Sequence, residues 1–127
     1  MIKNSNLIHT YTRKQVIAEG VLVDVTEPAK EAGFRIPVAV TAAVWAEFVA
    51  IPLGVVGQDE RGRLWDVLWM LLVAIRSSRG FGTEIRYRLH VRNDNREGTP
   101  PLVGLKALCG PDDDGSPCIT VMLPDED

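Results

Sequence analysis

The apolar positions along the chain predict helices in its first two-thirds and strands in its last third. The clearest helix covers residues 64–78, LWDVLWMLLVAIRSS, in which only Asp66 and Arg76 are charged. Its apolar positions recur at the spacing of one helix stripe, at Leu64, Leu68, Leu71, Leu72 and Ile75. A helix this apolar must be covered over most of its surface, so it belongs to the core.

The first 36 residues predict a short helix-strand segment. Thr12 and Gln15 have the spacing of a capping box, which predicts a helix over RKQVIAE, residues 13–19, ending at Gly20. The β-branched run VLVDV, residues 21–25, predicts a strand. Thr26 is a candidate cap for a second short helix over residues 27–32, with Gly33 as its stop, although a turn fits there too.

Residues 37–50, PVAVTAAVWAEFVA, predict an amphipathic helix that ends before Pro52. Its apolar side is Val38, Thr41, Val44, Trp45, Phe48 and Val49. The following GQDERGR, residues 57–63, is polar and predicts a turn before the long helix.

After Gly80 the period changes from 3.6 to 2, which indicates strands over residues 83–91, 102–109 and 118–123. Short connections between them favour an antiparallel meander. The sequence therefore predicts an α+β fold: a C-terminal three-stranded antiparallel meander packed against two Trp-containing helices, with a short helix-strand N-terminal segment.

Composition fits one folded globular domain over residues 1–127, with 46% hydrophobic and 24% charged residues. No secretory signal or membrane-spanning run is visible, so we expect a cytoplasmic protein without a membrane partner. Cys109 and Cys118 fit either a disulfide across a hairpin or, in that compartment, two free thiols. We expect no metal, cofactor or catalytic residues, because His9, His90 and the serines lie outside recognisable motifs.

Charge changes this picture, because the two signs separate in the C-terminal half. Residues 76–106 hold seven basic and three acidic side chains, whereas residues 107–127 hold six acids and no base. The net charge of the whole chain is only −3. Such a bipolar distribution favours a surface that recognises a charged partner.

The acidic segment has three interpretations: a solvated turn, a weak cation site and a contact with a protein partner. Consecutive acids followed by Gly115 fit a hairpin turn better than a calcium loop, whose ligands alternate along the chain. If the segment binds a protein, its contact residues are Asp112, Asp113, Asp114, Asp125, Glu126 and Asp127.

The basic segment predicts a row of cations along one face of the first C-terminal strand. Its members are Arg86, Arg88, His90 and Arg92, with Lys106 added from the neighbouring strand. This row is either a solvated outer face or a site for nucleic acid or phosphate. No aromatic side chain on that face offers a stacking platform for bases, and the adjacent acids oppose nucleic acid.

Trp45, Trp65 and Trp69 are predicted to lie in the core rather than around a ligand, because indole side chains bury much surface. Asp24 and Asp66 lie among apolar residues, which favours a raised pKa, although capping or pairing explains such residues equally well.

Several stretches together resemble a known family of small proteins of unknown function from bacterial plasmids, integrated elements and phages. They are YTRKQVIAEGVLVDVTEPAKEAGF, PVAVTAAVW, DERGRLWDVLWM and GPDDDGSPCITVMLPDED, so the resemblance extends from Tyr11 to Asp127. The segment EFVAIPLGVVG, residues 47–57, departs from the pattern, which would be more polar there. The resemblance implies a mobile-element setting and no particular activity.

Three functions follow as hypotheses. The first is a non-enzymatic accessory protein that binds a host protein or complex, in its sharpest form a defence inhibitor of the anti-CRISPR or anti-restriction type. The second is a nucleic-acid-binding regulator that uses the basic row, and the third is a small enzyme with an unrecognised site. A homodimer formed through an exposed strand edge is compatible with each.

Overall fold

A computed structural model describes residues 12–78 and 82–127 of the chain. The predictions for His9 and Tyr11 concern residues outside the described ranges. The fold is α+β, as predicted, with a five-stranded mixed sheet and several helices.

In the described part of the chain, four α-helices and one π-helix precede or connect the strands. They are α1 (Arg13–Ala18), α2 (Thr26–Ala32), α3 (Ala42–Val44), the π-helix (Trp45–Val49) and α4 (Glu60–Ser77). The strands are β1 (Leu22–Asp24), β2 (Val38–Thr41), β3 (Glu84–His90), β4 (Leu102–Pro111) and β5 (Pro117–Met122).

The sheet has the strand order β1-β2-β5-β4-β3. Strands β3, β4 and β5 pair antiparallel in sequence order, and β2 joins β5 in parallel. The C-terminal strands are therefore part of a larger sheet rather than a separate meander, and β1 and β3 are its edges.

The capping box at Thr12 is confirmed. The Thr12 hydroxyl accepts from the Gln15 amide at 3.1 Å, and Gln15 Oε1 accepts from the Thr12 amide at 2.8 Å. The helix is one residue shorter than predicted and ends at Ala18. Two reciprocal bonds thus fix the start of a helix that is too short to be stable alone.

The prediction for residues 37–50 is wrong in its first half. Val38–Thr41 is strand β2, and its four residues are all buried between β1 and β5. An interior strand is covered on both faces, so polar residues do not mark one side and period 2 is lost. Thr41 then caps α3 by accepting from the Val44 amide at 3.2 Å.

The turn predicted over residues 57–63 is also shorter than expected, because α4 begins at Glu60. Asp59 is its N-cap and accepts from the Gly62 amide at 2.6 Å. Thr26 does not cap α2; it is the first helical residue, and Asp24 accepts from its amide and hydroxyl at 3.0 and 2.6 Å.

The core lies between one face of the sheet and α2, the π-helix and α4. From α4 it receives Leu64, Val67, Leu68, Leu71 and Leu72, as the helical spacing predicts for four of them. The inward face that period 2 predicts for β3 is confirmed, since Tyr87 and Leu89 are buried in the core. Among the described residues, no helix is both long and apolar enough to cross a membrane.

The two cysteines are free thiols on opposite faces of the sheet. Cys109 pairs in register with Ile119, whereas Cys118 pairs with Gly110, one residue out of phase. Burial raises the pKa of the Cys118 thiol, which favours the unreactive protonated form.

Candidate functional site

The most exposed large apolar side chains of α4 form a stripe, which we call the tryptophan face: Trp65, Trp69 and Val73. They follow one another at four-residue spacing and are 41%, 39% and 38% exposed. The two indoles are stacked, with ring centroids 5.9 Å apart and an angle of 9° between their planes. This stripe flanks the side of α4 whose leucines fill the core.

The prediction that all three tryptophans belong to the core is therefore wrong for Trp65 and Trp69. Trp45, in the π-helix, is half-buried and packs against the core cluster. Because α4 already fills the core with four leucines, the indoles are left on the outside. Stacking removes some of their surface from water without covering the pair.

Arg63 is a buried charged side chain of α4 beside the tryptophan face, and only 6% of it is exposed. Its guanidinium donates four hydrogen bonds, to Val49 O at 3.0 Å, Gln58 Oε1 at 2.9 Å, Arg92 O at 2.6 Å and Asn93 Oδ1 at 2.7 Å. These bonds join α4 to the loop before it and to the β3–β4 connection. Burial lowers the pKa of Arg63.

Sequence reasoning missed Arg63 because it placed residues 57–63 in a turn. Once α4 starts at Glu60, Arg63 lies one turn before Val67 and shares its buried side. The helical spacing between Arg63 and Val67 was the signal in the sequence that could have predicted the burial of Arg63.

Asp66 is exposed next to the tryptophan face, and its carboxylate has no hydrogen bond or ion pair with any residue in the described ranges. Partial burial raises its pKa, as the sequence suggested. Asp66 separates two depressions. One, of about 380 Å³, is lined by Trp65, Asp59 and Gly62 among others. The other, of about 130 Å³, is lined by His90, Phe48 and Arg92 among others.

The smaller depression is lined by both a histidine, His90, and an acid, Asp66. The Nδ1 atom of His90 lies 2.8 Å from the Pro100 carbonyl oxygen. This contact favours a proton on Nδ1 and leaves Nε2 as an acceptor.

The basic row is only partly continuous. Arg86, Arg88 and His90 are exposed on the outward side of the edge strand β3. Arg86 pairs with Glu84 at 2.9 Å. Arg92 lies beyond the strand, half-buried, where it pairs with Asp94 at 3.2 Å and donates to Gly98 O.

Lys106 stands opposite Arg86 in the strand register, as predicted for a neighbour in the row. It is nevertheless buried, with 8% exposed, and its ammonium donates to the backbone oxygen of Glu126. The C-terminal tail therefore lies over this part of the sheet.

The three acids at the β4–β5 turn accept hydrogen bonds from the chain itself. Asp113 accepts from the amides of Arg13 and Lys14 at 2.7 and 3.1 Å, so it caps α1 from a distance. Asp114 accepts from the amide and hydroxyl of Ser116 at 3.0 and 2.5 Å, which lowers its pKa. Asp112 accepts from the Asp113 amide at 2.7 Å.

The acids of the tail divide into one anchored and two exposed residues. Glu126 accepts from the Thr41 hydroxyl and from the Leu123 amide, both at 2.7 Å. Asp125 and Asp127 are exposed. Within residues 12–78 and 82–127, no three His, Cys, Asp or Glu side chains are grouped to hold a metal ion.

Comparison with known proteins places the chain in a family whose description is "Family of unknown function (DUF6573)", matched over residues 1–127. The chain belongs to this family. The same comparison finds no curated protein and no solved structure that matches it. The DUF6573 match confirms the resemblance to a family of unknown function and assigns no activity to the chain.

Proposed function

We propose that this DUF6573 protein is a non-enzymatic accessory protein that binds another protein through its tryptophan face. The observation that carries the proposal is the stacked, exposed pair Trp65 and Trp69. Tryptophan is enriched among residues that dominate binding energy, and contiguous exposed apolar surface marks interaction sites. Val73 continues the same stripe by one helical turn.

The rigidity of α4 favours this use of the face. Its other side is held by the core, its start by the Asp59 cap and its first turns by Arg63. Side chains on such a helix lose little freedom when a partner covers them, so less binding energy is lost to ordering.

The acidic residues predicted to bind a partner keep a secondary place in the proposal. Asp112, Asp114, Asp125 and Asp127 are near or at the surface and would steer a basic partner, since exposed charge acts mainly on encounter rates. Asp113 and Glu126 already hold parts of this chain together.

The setting we propose is a cytoplasmic protein of a bacterial plasmid, integrated element or phage that binds a host protein or complex. Its sharpest form is an inhibitor of a CRISPR or restriction system. A test is plasmid transformation into a host with such a system. Expression should raise the number of transformants, and Trp69→Ala should remove that increase; no increase in any such host contradicts the inhibitor form.

The binding function is tested by affinity purification from a native host, with wild type and the double variant Trp65→Ala/Trp69→Ala compared by quantitative mass spectrometry. Proteins enriched by wild type should fall at least about tenfold with the variant, since two hot-spot residues are removed. Leu53→Ala is the matched control, because Leu53 is a fully exposed apolar residue outside α4. Equal enrichment by the double variant contradicts the proposal.

A second candidate, nucleic-acid binding, is favoured by one observation. Arg88 is exposed on β3 and has no ion pair within the described chain. Arg86→Ala and Arg88→Ala should then reduce the salt dependence of DNA or RNA binding. Absence of binding at low salt removes this candidate.

A further inference from the structure

The larger depression beside Asp66 is an open groove at the start of α4, with a volume of about 380 Å³. Gly62 lines it, one helical turn before both Trp65 and Asp66. A Cβ at Gly62 would lie 3.2 Å from Asp59 Oδ1, so the glycine lets the Asp59 carboxylate approach the helix at this part of the groove.

One wall of the groove is aromatic. Trp65 lines it, and Trp69, which stacks on Trp65, does not. The stacked neighbour holds the Trp65 ring in place. A fixed indole surface is the preferred aromatic partner for a cation.

The other wall is anionic. The Asp66 carboxylate has no partner in the described ranges, and Asp59 uses Oδ1 to accept from Gly62 while no described group bonds its Oδ2. The basic residue that lines the groove, Arg63, is buried and turned inward with four hydrogen bonds. The groove therefore presents negative charge to a ligand.

We propose that this groove binds an arginine side chain of the partner protein, whose guanidinium lies over Trp65 and pairs with Asp66. The inference rests on the proposed function and names the partner's chemistry. A planar guanidinium fits both walls, because it stacks on aromatic faces and donates parallel hydrogen bonds to a carboxylate. Asp59, the N-cap of α4, lines the same groove and adds negative potential.

A lysine ammonium would be a poorer ligand, since it cannot stack as a plane or donate in a fork. Nucleic acid does not fit the groove, because phosphates are repelled by Asp59 and Asp66. The groove is thus suited to a basic protein surface, including one that otherwise binds nucleic acid.

The test is an NMR titration of the full chain with N-acetylarginine amide, and with N-acetylcitrulline amide as its uncharged analogue of the same shape. We expect saturable shifts at the Trp65 indole N–H and the Gly62 amide with the arginine compound. The citrulline compound should bind about three- to fivefold more weakly or not at all, as for a lost cation–π contact.

Variants assign the binding to the groove. Asp66→Asn should weaken the arginine compound by about three- to fivefold, because one exposed charge pair is lost. Glu60→Gln is the control, since Glu60 is an exposed acid on the same helix that does not line the groove. An unchanged affinity in Asp66→Asn overturns the inference, as do equal shifts with citrulline or shifts mapped to another surface.

Two outcomes separate this inference from the proposed function. If the double tryptophan variant loses its partner but arginine does not bind the groove, the inference fails and the binding function stands. If a DNA oligonucleotide shifts the Trp65 indole instead, the groove has been assigned the wrong class of ligand and the inference is overturned.

Discussion

Tyr87 shows how a single side chain links β3 to α4. Its hydroxyl donates to the Val67 carbonyl at 3.0 Å and is buried, with 6% of the residue exposed. Tyr87→Phe keeps the ring in the core and removes this bond, so the free energy of unfolding should fall by about 1 kcal/mol. Urea denaturation of both proteins measures the difference; a variant as stable as wild type contradicts the assigned bond.

The same residue gives a pH dependence whose sign is fixed. Burial raises the pKa of Tyr87 above its ordinary value of 10.0, so the folded protein keeps the phenol neutral. The unfolded chain loses that proton above about pH 10, so stability falls as pH rises through this range. The free energy of unfolding of wild type should therefore exceed that of Tyr87→Phe by a smaller amount above pH 10. The difference should vanish at about pH 11, roughly one pH unit above the ordinary pKa of tyrosine. A difference that stays constant from pH 8 to 11 contradicts the burial.

Substitution of Arg63 tests whether its hydrogen bonds to the neighbouring segments stabilise the fold. Arg63→Met removes four hydrogen bonds from a buried site, and unfolding should become easier by about 2–4 kcal/mol. Arg61→Met is the matched control two residues earlier, because Arg61 makes one exposed pair with Glu31 at 3.3 Å. Its effect should stay within about 0.5 kcal/mol. Similar denaturation midpoints for both variants contradict a structural role for Arg63.

Single residues were predictable only where local chemistry decided them. The Thr12 capping box and the inward face of β3 depend on spacing alone and are confirmed. The exposure of Trp65 and Trp69 depends on which side of α4 meets the sheet, and the apolar pattern covers nearly the whole helix. Sequence period therefore could not separate core from surface there.

At the scale of elements, α1 is held to the sheet by contacts from distant parts of the chain. Asp113 bonds two of its first amides, and Arg13 donates to the Thr120 hydroxyl at 2.6 Å and the Ile119 carbonyl at 2.8 Å. Because α1 has six residues, we expect it to depend on these bonds.

Asp113→Ala should therefore loosen α1 without unfolding the sheet. Hydrogen exchange at the Arg13 and Lys14 amides should become several-fold faster, because these first-turn donors have no helical partner of their own. Asp125→Ala, at an exposed tail position, should leave both rates unchanged. Exchange that is equally slow in Asp113→Ala shows that the acidic turn does not support α1.

The elements that sequence reasoning got wrong are those decided by tertiary pairing. Residues 38–41 fit a helix by spacing, yet they form the strand between β1 and β5, where all four residues are buried. The parallel pairing of β2 with β5 is a contact across about 80 residues of chain, which no local pattern encodes.

At the scale of the whole molecule, the separation of charge survives folding. Arg86 and Arg92 pair with Glu84 and Asp94 from their own segment, and no described ion pair joins the basic row to the C-terminal acids. Lys106 is the point where the two regions meet, through a backbone oxygen. The basic edge, the acidic turn and the tryptophan face thus remain three distinct surfaces.

These surfaces can be compared in one experiment, site-specific photo-crosslinking in the native host. A benzophenone amino acid replaces Val73 on the tryptophan face, Arg88 on the basic edge or Ser116 in the acidic turn, and all three positions are exposed. We expect a partner to be crosslinked from position 73. Crosslinks from position 88 or 116 with none from position 73 would show that the tryptophan face is not the binding surface.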